Sequence, residues 1–201
     1  VNKLIGRIRD DAPLLVAAFE EEARHLETDL PVLITGLGKV NAAMALTRAL
    51  MAATEEPSMI LNIGTAGALR DGVTGLHVVR RVIQHDLNTE LLRSLTDQTF
   101  GGPLDLAEPD GVVLATGDSF IADDTSRTRL AARADLVDME GYALVSAANE
   151  LGVPIRLVKY VSDNANQEAT KTWRHAVNYA AKQLASWVHA NVPVPANNMQ
   201  R

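Results

Sequence analysis

Residues 155–163 read Ile-Arg-Leu-Val-Lys-Tyr-Val-Ser-Asp. Ile155 to Val161 is the clearest of the short apolar runs in this chain, and it ends on Ser162-Asp163. Working back toward the N-terminus, the same kind of run recurs at Val112–Ala115, Leu76–Ile83, Ser58–Ile63, Pro31–Thr35 and Leu14–Ala18. Val, Ile and Leu dominate most of them without strict polar alternation, the pattern of strands covered on both faces. Between the runs lie Val40–Ala53, Leu87–Thr96, Gly141–Leu151 and Lys171–Ala190, with Ala, Leu, Arg and Glu at helical spacing. This alternation predicts an α/β layered domain. Phe100–Gly111, rich in Gly, Pro and Asp, reads as a loop or an insertion edge. Val192–Arg201 has two prolines, two asparagines and no periodicity, and reads as a loose tail. With no internal repeat or linker, residues 1–201 are expected to form one domain, about 1–12 being an N-terminal extension.

Composition narrows the function classes. A chain of 201 residues, 47% hydrophobic and 22% charged, can bury a single core. The net charge of −6 argues against a nucleic-acid binder but not against a small neutral or cationic ligand. The absence of cysteine excludes disulfides, thiolate catalysis and cysteine-ligated metals, and is compatible with a reducing cytoplasm. No apolar run approaches the roughly 20 residues that span a bilayer. Val1–Asp11 has no signal-peptide core. A soluble, cytoplasmic protein with no membrane partner is the expectation.

In an α/β sheet, ligands bind in the crevice beyond the strand ends. Several familiar motifs fail there. Thr35-Gly36-Leu37-Gly38-Lys39-Val40 has Asn41 where a dinucleotide fingerprint needs Gly. It also has Leu33 and Val40 where a P-loop needs Gly and Ser or Thr. It remains either a plain strand-to-helix turn or a ligand-facing one. His25, His77, His85, His175 and His189 have no zinc spacing, and no GxSxG is present. No metal and no cofactor are expected. His85-Asp86 reads as a strand-end turn rather than a proton relay.

Five segments remain. Phe19-Glu20-Glu21-Glu22 follows the first run: three acids at a helix start suit the helix dipole, or one turns inward as an acid or base. Asn62-Ile63-Gly64-Thr65-Ala66-Gly67-Ala68 follows the third, as a plain turn or as close backbone approach to a ligand. Thr116-Gly117-Asp118-Ser119-Phe120 places an aromatic ring among polar neighbours, for core packing or for stacking on a base. In Asp138-Met139-Glu140-Gly141-Tyr142, Asp138 suits a helix N-cap, and Glu140 either joins the first turn or grips paired sugar hydroxyls. Asp163 either caps a loop or is a catalytic acid at a strand end.

Taken in order with Gly36-Leu37-Gly38-Lys39-Val40, these segments resemble the nucleoside phosphorylase and nucleosidase superfamily. The closest branch is 5′-methylthioadenosine/S-adenosylhomocysteine nucleosidase. The resemblance runs from about Leu14 to His189 and is strongest over Val137–Val188, including Ala180-Ala181-Lys182-Gln183. Its most specific part is Met139-Glu140 followed by Ser162-Asp163. It implies a three-layer α/β/α fold around a twisted mixed sheet, part of which closes toward a barrel. It also implies cleavage of the N-glycosidic bond of a purine nucleoside, in a homodimer.

The resemblance assigns the site residue by residue. Asp163 protonates the leaving purine at N7, helped if burial raises its pKa. Glu22 activates the attacking water. Glu140 binds the ribose hydroxyls, and Met139 packs on the sugar. Phe120 stacks on the base. Phe19 and Trp173 line the pocket for the 5′ substituent. Thr65 lies near the nucleophile, and Ser162 positions Asp163. Gly67 and Gly38 allow close approach of the backbone. The phosphorylase branch carries Arg where this chain has Asn62, and a second Arg in the turn replaced here by Ala18-Phe19-Glu20-Glu21-Glu22. Both departures favour water over phosphate as the nucleophile. Two more departures bear on the substrate: the stretch between His85 and Thr116 is short for the family, and Lys159 replaces an Arg. Three alternatives stand beside the nucleosidase. One is a futalosine-type nucleosidase. Another is a phosphorylase using Arg80, Arg81 or Lys159. The third is a nucleoside-binding protein without catalysis.

Overall fold

A computed structural model describes residues 2–193. Nine strands and six helices alternate among these residues. The strands are β1 (Lys3–Ile5), β2 (Leu14–Ala17), β3 (Val32–Ile34), β4 (Ile60–Ala68), β5 (Leu76–Gln84), β6 (Leu104–Asp105), β7 (Val112–Thr116), β8 (Leu136–Asp138) and β9 (Ile155–Asp163). The helices are α1 (Glu20–Ala23), α2 (Lys39–Ala52), α3 (Thr89–Thr96), α4 (Asp124–Ala131), α5 (Gly141–Leu151) and α6 (Ala169–Asn191).

The layers follow from the apolar runs. Along β2, Leu14 and Val16 face one way and pack with Ala42 and Leu46 of α2 and Leu144 and Ala148 of α5. Leu15 and Ala17 face the other way and pack with Leu184 and Val188 of α6. A strand whose successive side chains enter two different cores cannot alternate polar and apolar.

The sheet is mixed, in the order β1-β3-β2-β4-β8-β7-β5-β6. Strand β9 lies parallel to β4 and antiparallel to β5. The pairs β4–β8, β8–β7, β7–β5, β5–β9 and β9–β4 therefore close a ring. The α/β/α arrangement with partial barrel closure is the fold expected from the resemblance.

Several local readings are corrected. Gly64–Ala68 is not a turn after the third strand but the second half of β4. It is held by β9 on one side and, at Gly67 and Ala68, by β8 on the other, with a bulge between Ala66 and Gly67. The Phe100–Gly111 stretch contains β6, paired with Arg81 and Val82. Residues 1–12 contain β1, antiparallel to β3, and bury Ile8 and Ala12. Helix α4 is amphipathic only in burying Leu130, and its start is fixed by Asp123, whose carboxylate accepts from Ser126 N at 2.8 Å. Of the expected tail, residues 194–201 lie outside the described residues.

Candidate active site

A cavity of about 390 Å³ opens around the C-terminal ends of β2, β4, β8 and β9. Ten of the residues singled out from sequence line it: Glu22, Phe19, Thr65, Gly67, Phe120, Met139, Glu140, Ser162, Asp163 and Trp173. Gly38, the eleventh, does not line it but donates its backbone N–H to Glu140 Oε1 at 2.8 Å. Its φ of +91° is one that a glycine adopts readily.

Each carboxylate is placed by the element that carries it. Helix α1 begins directly after β2, and its one turn points Glu20 and Glu21 to solvent while Glu22 turns inward, 3% exposed. Glu22 Oε2 accepts from Ala18 N at 3.1 Å, and Oε1 accepts from Thr65 N at 2.6 Å and Thr65 Oγ1 at 2.9 Å. Burial raises its pKa, and Lys159 and these hydrogen bonds only partly oppose that. Gly64 lies directly beneath: a Cβ there would stand 3.1 Å from Glu22 Oε1.

Asp163, the last residue of β9, is half-buried. Its Oδ2 accepts from Ser162 Oγ at 2.8 Å and its Oδ1 from Ala165 N at 2.8 Å. A Cβ on Gly67 would stand 3.0 Å from Asp163 Oδ1. Two positions on β4 without side chains thus leave room for the two carboxylates in the cavity wall.

Glu140 sits at the N-cap position of α5 but makes no side-chain cap. Asp138, read from sequence as that N-cap residue, does bond the helix start, accepting from Gly141 N at 2.8 Å, yet it has two further partners. Its Oδ1 accepts from Thr116 Oγ1 at 2.6 Å, and its Oδ2 lies 2.9 Å from Lys159 Nζ. Burial and the negative Asp138 raise the Glu140 pKa to about 8.

The Asp138–Lys159 pair was not legible as a pair. A lysine inside a doubly covered strand was the available signal, since a buried ammonium requires a carboxylate. Lys159 is 2% exposed and does not line the cavity. Arg81 is engaged with Asp105 at the β5–β6 edge. Neither these two nor Arg80 is among the cavity residues, so none of the three candidate phosphate donors faces it. Among the described residues, the cavity lining includes four acids, Glu22, Asp138, Glu140 and Asp163, and no Lys or Arg.

Phe120 stands on the loop after β7 and is 45% exposed, at the cavity rather than in the core. Phe19 and Trp173 meet with ring centroids 5.3 Å apart. Leu37, Ile121 and Val137 complete an apolar wall that sequence reasoning did not single out, because each reads as an ordinary strand or turn residue. His85 is not a cavity residue; its ring packs against Gly117. Asp86 instead bonds Lys39 Nζ at 2.6 Å and Asp118 N at 2.8 Å, tying three turns together. Among the described residues, no group of three His, Asp or Glu side chains is arranged to hold a metal ion.

This geometry agrees with what the chain is similar to. The family model described as "Phosphorylase superfamily" matches residues 86–192. The 5′-methylthioadenosine/S-adenosylhomocysteine nucleosidase of Staphylococcus carnosus is 29% identical, the match covering 77% of each chain. The enzyme of the same name from Listeria monocytogenes serotype 4a is 27% identical over 87% of this chain and 95% of its own. Among solved structures, a futalosine hydrolase mutant of Helicobacter pylori superposes with a TM-score of 0.78 at 20% identity, covering 89% of this chain and 97% of that one. A nucleosidase from S. pneumoniae, solved with a transition-state inhibitor, gives 0.73 at 22% identity with the same coverage. The structural likenesses establish the fold, and the family model establishes the lineage: this chain belongs to the phosphorylase superfamily.

Proposed function

We propose that the protein hydrolyses the N-glycosidic bond of a purine nucleoside of the 5′-methylthioadenosine/S-adenosylhomocysteine type, releasing the free base. The observation that carries this reading is the pairing of Glu22, fixed by three donors, with Asp163, fixed by two, in one cavity whose described lining residues offer no cation to a phosphate. A binding protein has no use for both an acid and a base.

In this reading Glu22 takes a proton from a water held near Thr65. A raised pKa makes it a stronger base. Asp163 donates to purine N7 and is oriented by Ser162. Glu140, protonated below about pH 8 in the free protein, offers both a donor and an acceptor to the ribose hydroxyls. Phe120 stacks on the base and Met139 packs on the sugar. As positive charge develops on the ribose, the buried Glu22 carboxylate stabilises it. No separate cofactor takes part.

The enzyme works as a homodimer in the cytoplasm. Val40, Met44 and Met51 form an apolar stripe on the outer face of α2, 67%, 65% and 71% exposed. Leu37 continues that stripe to the cavity rim. An exposed stripe of this kind fits a second copy of the chain. No described helix is long and apolar enough to cross a membrane.

Glu22→Gln tests the assignment. It keeps the size of the side chain and removes the base. Nucleoside binding is expected to survive while kcat falls about 10²–10⁴-fold. A defect confined to KM would remove Glu22 from water activation.

A further inference from the structure

Phe120 stands on the turn after β7, outside every strand and helix. Its place therefore depends on what holds Gly117 and Asp118. Gly117 N donates to Asp138 O at 3.2 Å, and the His85 ring lies where a Cβ on Gly117 would stand. Asp118 N donates to Asp86 Oδ2 at 2.8 Å, and Asp118 Oδ1 accepts from Lys39 N at 2.8 Å. Lys39 is the first residue of α2, and its side chain reaches the same place. Its Nζ lies 2.6 Å from Asp86 Oδ1, 3.0 Å from Gln84 Oε1 and 3.8 Å from Asp118 Oδ2.

Two carboxylates thus converge on one ammonium. The Lys39 and Asp86 side chains are 19% and 24% exposed, whereas that of Asp118 is 49% exposed. Burial would raise the Asp86 pKa, but the bonds from Lys39 and from Asp118 N hold it below the ordinary carboxylate value. Without the ammonium the two carboxylates repel each other, and Asp118, the more exposed, is the one free to swing into solvent. Phe120 is two residues further on and 45% exposed, so little packing of its own resists that movement.

We propose that Lys39 is a positioning residue for the base half of the site: through Asp86 and Asp118 it holds the turn that presents Phe120 to the purine. Lys39 is not a cavity residue, so it acts through that turn and not on the substrate. The inference rests on the nucleosidase reading, with Phe120 stacking on the base, and deepens it.

The dissociation constant of free adenine reads the base half alone, and hydrolysis of 5′-methylthioadenosine reads the whole site. Lys39→Met keeps the length of the stem and removes the charge. It is expected to raise the adenine dissociation constant and KM about fivefold, with kcat changed less than about twofold, which also shows that the variant folds. Phe120→Ala is expected to raise both constants about tenfold. Adding Lys39→Met to Phe120→Ala is then expected to change neither constant further, because nothing is left for Lys39 to position. A merely structural role would add its effect to that of Phe120→Ala. That result, or no change from Lys39→Met alone, overturns the inference and leaves the nucleosidase reading standing. No hydrolysis by the unaltered protein overturns the nucleosidase reading, and the adenine measurements still decide the role of Lys39.

Discussion

Glu140 holds its proton because of what surrounds it. Three buried carboxylates, Glu22, Asp138 and Glu140, share one buried ammonium, Lys159. Lys159 is ion-paired with Asp138 at 2.9 Å, and its charge only partly offsets the burial of Glu22 and Glu140. Burial then raises the pKa of Glu22 and carries that of Glu140 from 4.5 to about 8. The consequence for stability has a definite sign. Between pH 4.5 and about 8 the folded chain keeps a proton on Glu140 that the unfolded chain has lost. The stability tied to that proton is complete below the lower value and is lost as pH rises through the upper one. Glu140→Gln removes the titration. Denaturation curves across this window are expected to show the variant gaining stability relative to the parent as pH rises, while it loses affinity for the nucleoside. A constant difference across the window would mean that Glu140 is ionised in the folded chain.

At the scale of elements, β4 is the strand on which the site is assembled. Its glycines stand where Glu22 and Asp163 approach most closely. Gly64→Ala brings a methyl group to 3.1–3.2 Å from both Glu22 oxygens, so the carboxylate must shift by a few tenths of an ångström. The expected result is a fall in kcat of about tenfold with stability changed by less than about 1 kcal/mol. Unchanged turnover would show that the position of Glu22 is not critical. The same strand shows where sequence reading stops. Asn62–Ala68, with two glycines and a threonine, has the composition of a turn, and local propensity favours one. Pairing to β9 and β8 overrides it, and a single sequence does not show such pairing. Helix α5, by contrast, was legible to its ends, because Gly141–Leu151 carries its own apolar spacing and stops at Gly152. Strand β8 and helix α4 were missed for opposite reasons: three residues are too few to show a period, and α4 buries only Leu130.

At the scale of the molecule, the layers were readable and the ring closure was not. Doubly apolar strands alternating with helices require cover on both faces, which makes an α/β layered domain, and the resemblance supplied the three-layer form. That β9 reaches both β4 and β5 comes from long-range register, and only the resemblance to a known family anticipated it. The closure matters for function, because it brings the ends of β4, β8 and β9 around one cavity with α1 at its edge. Residues scattered from Phe19 to Trp173 in the chain become one lining. The role of that lining turns on its charge. Among the described residues, the ionisable lining groups are all acids and none is a cation that would hold a phosphate dianion, which favours attack by water. The direct test is to incubate the purified protein with 5′-methylthioadenosine in phosphate-free buffer and follow adenine. Adenine is expected to appear together with the reducing sugar methylthioribose, at a rate that added phosphate does not raise. Release only after phosphate is added, with a sugar 1-phosphate as the second product, would contradict hydrolysis.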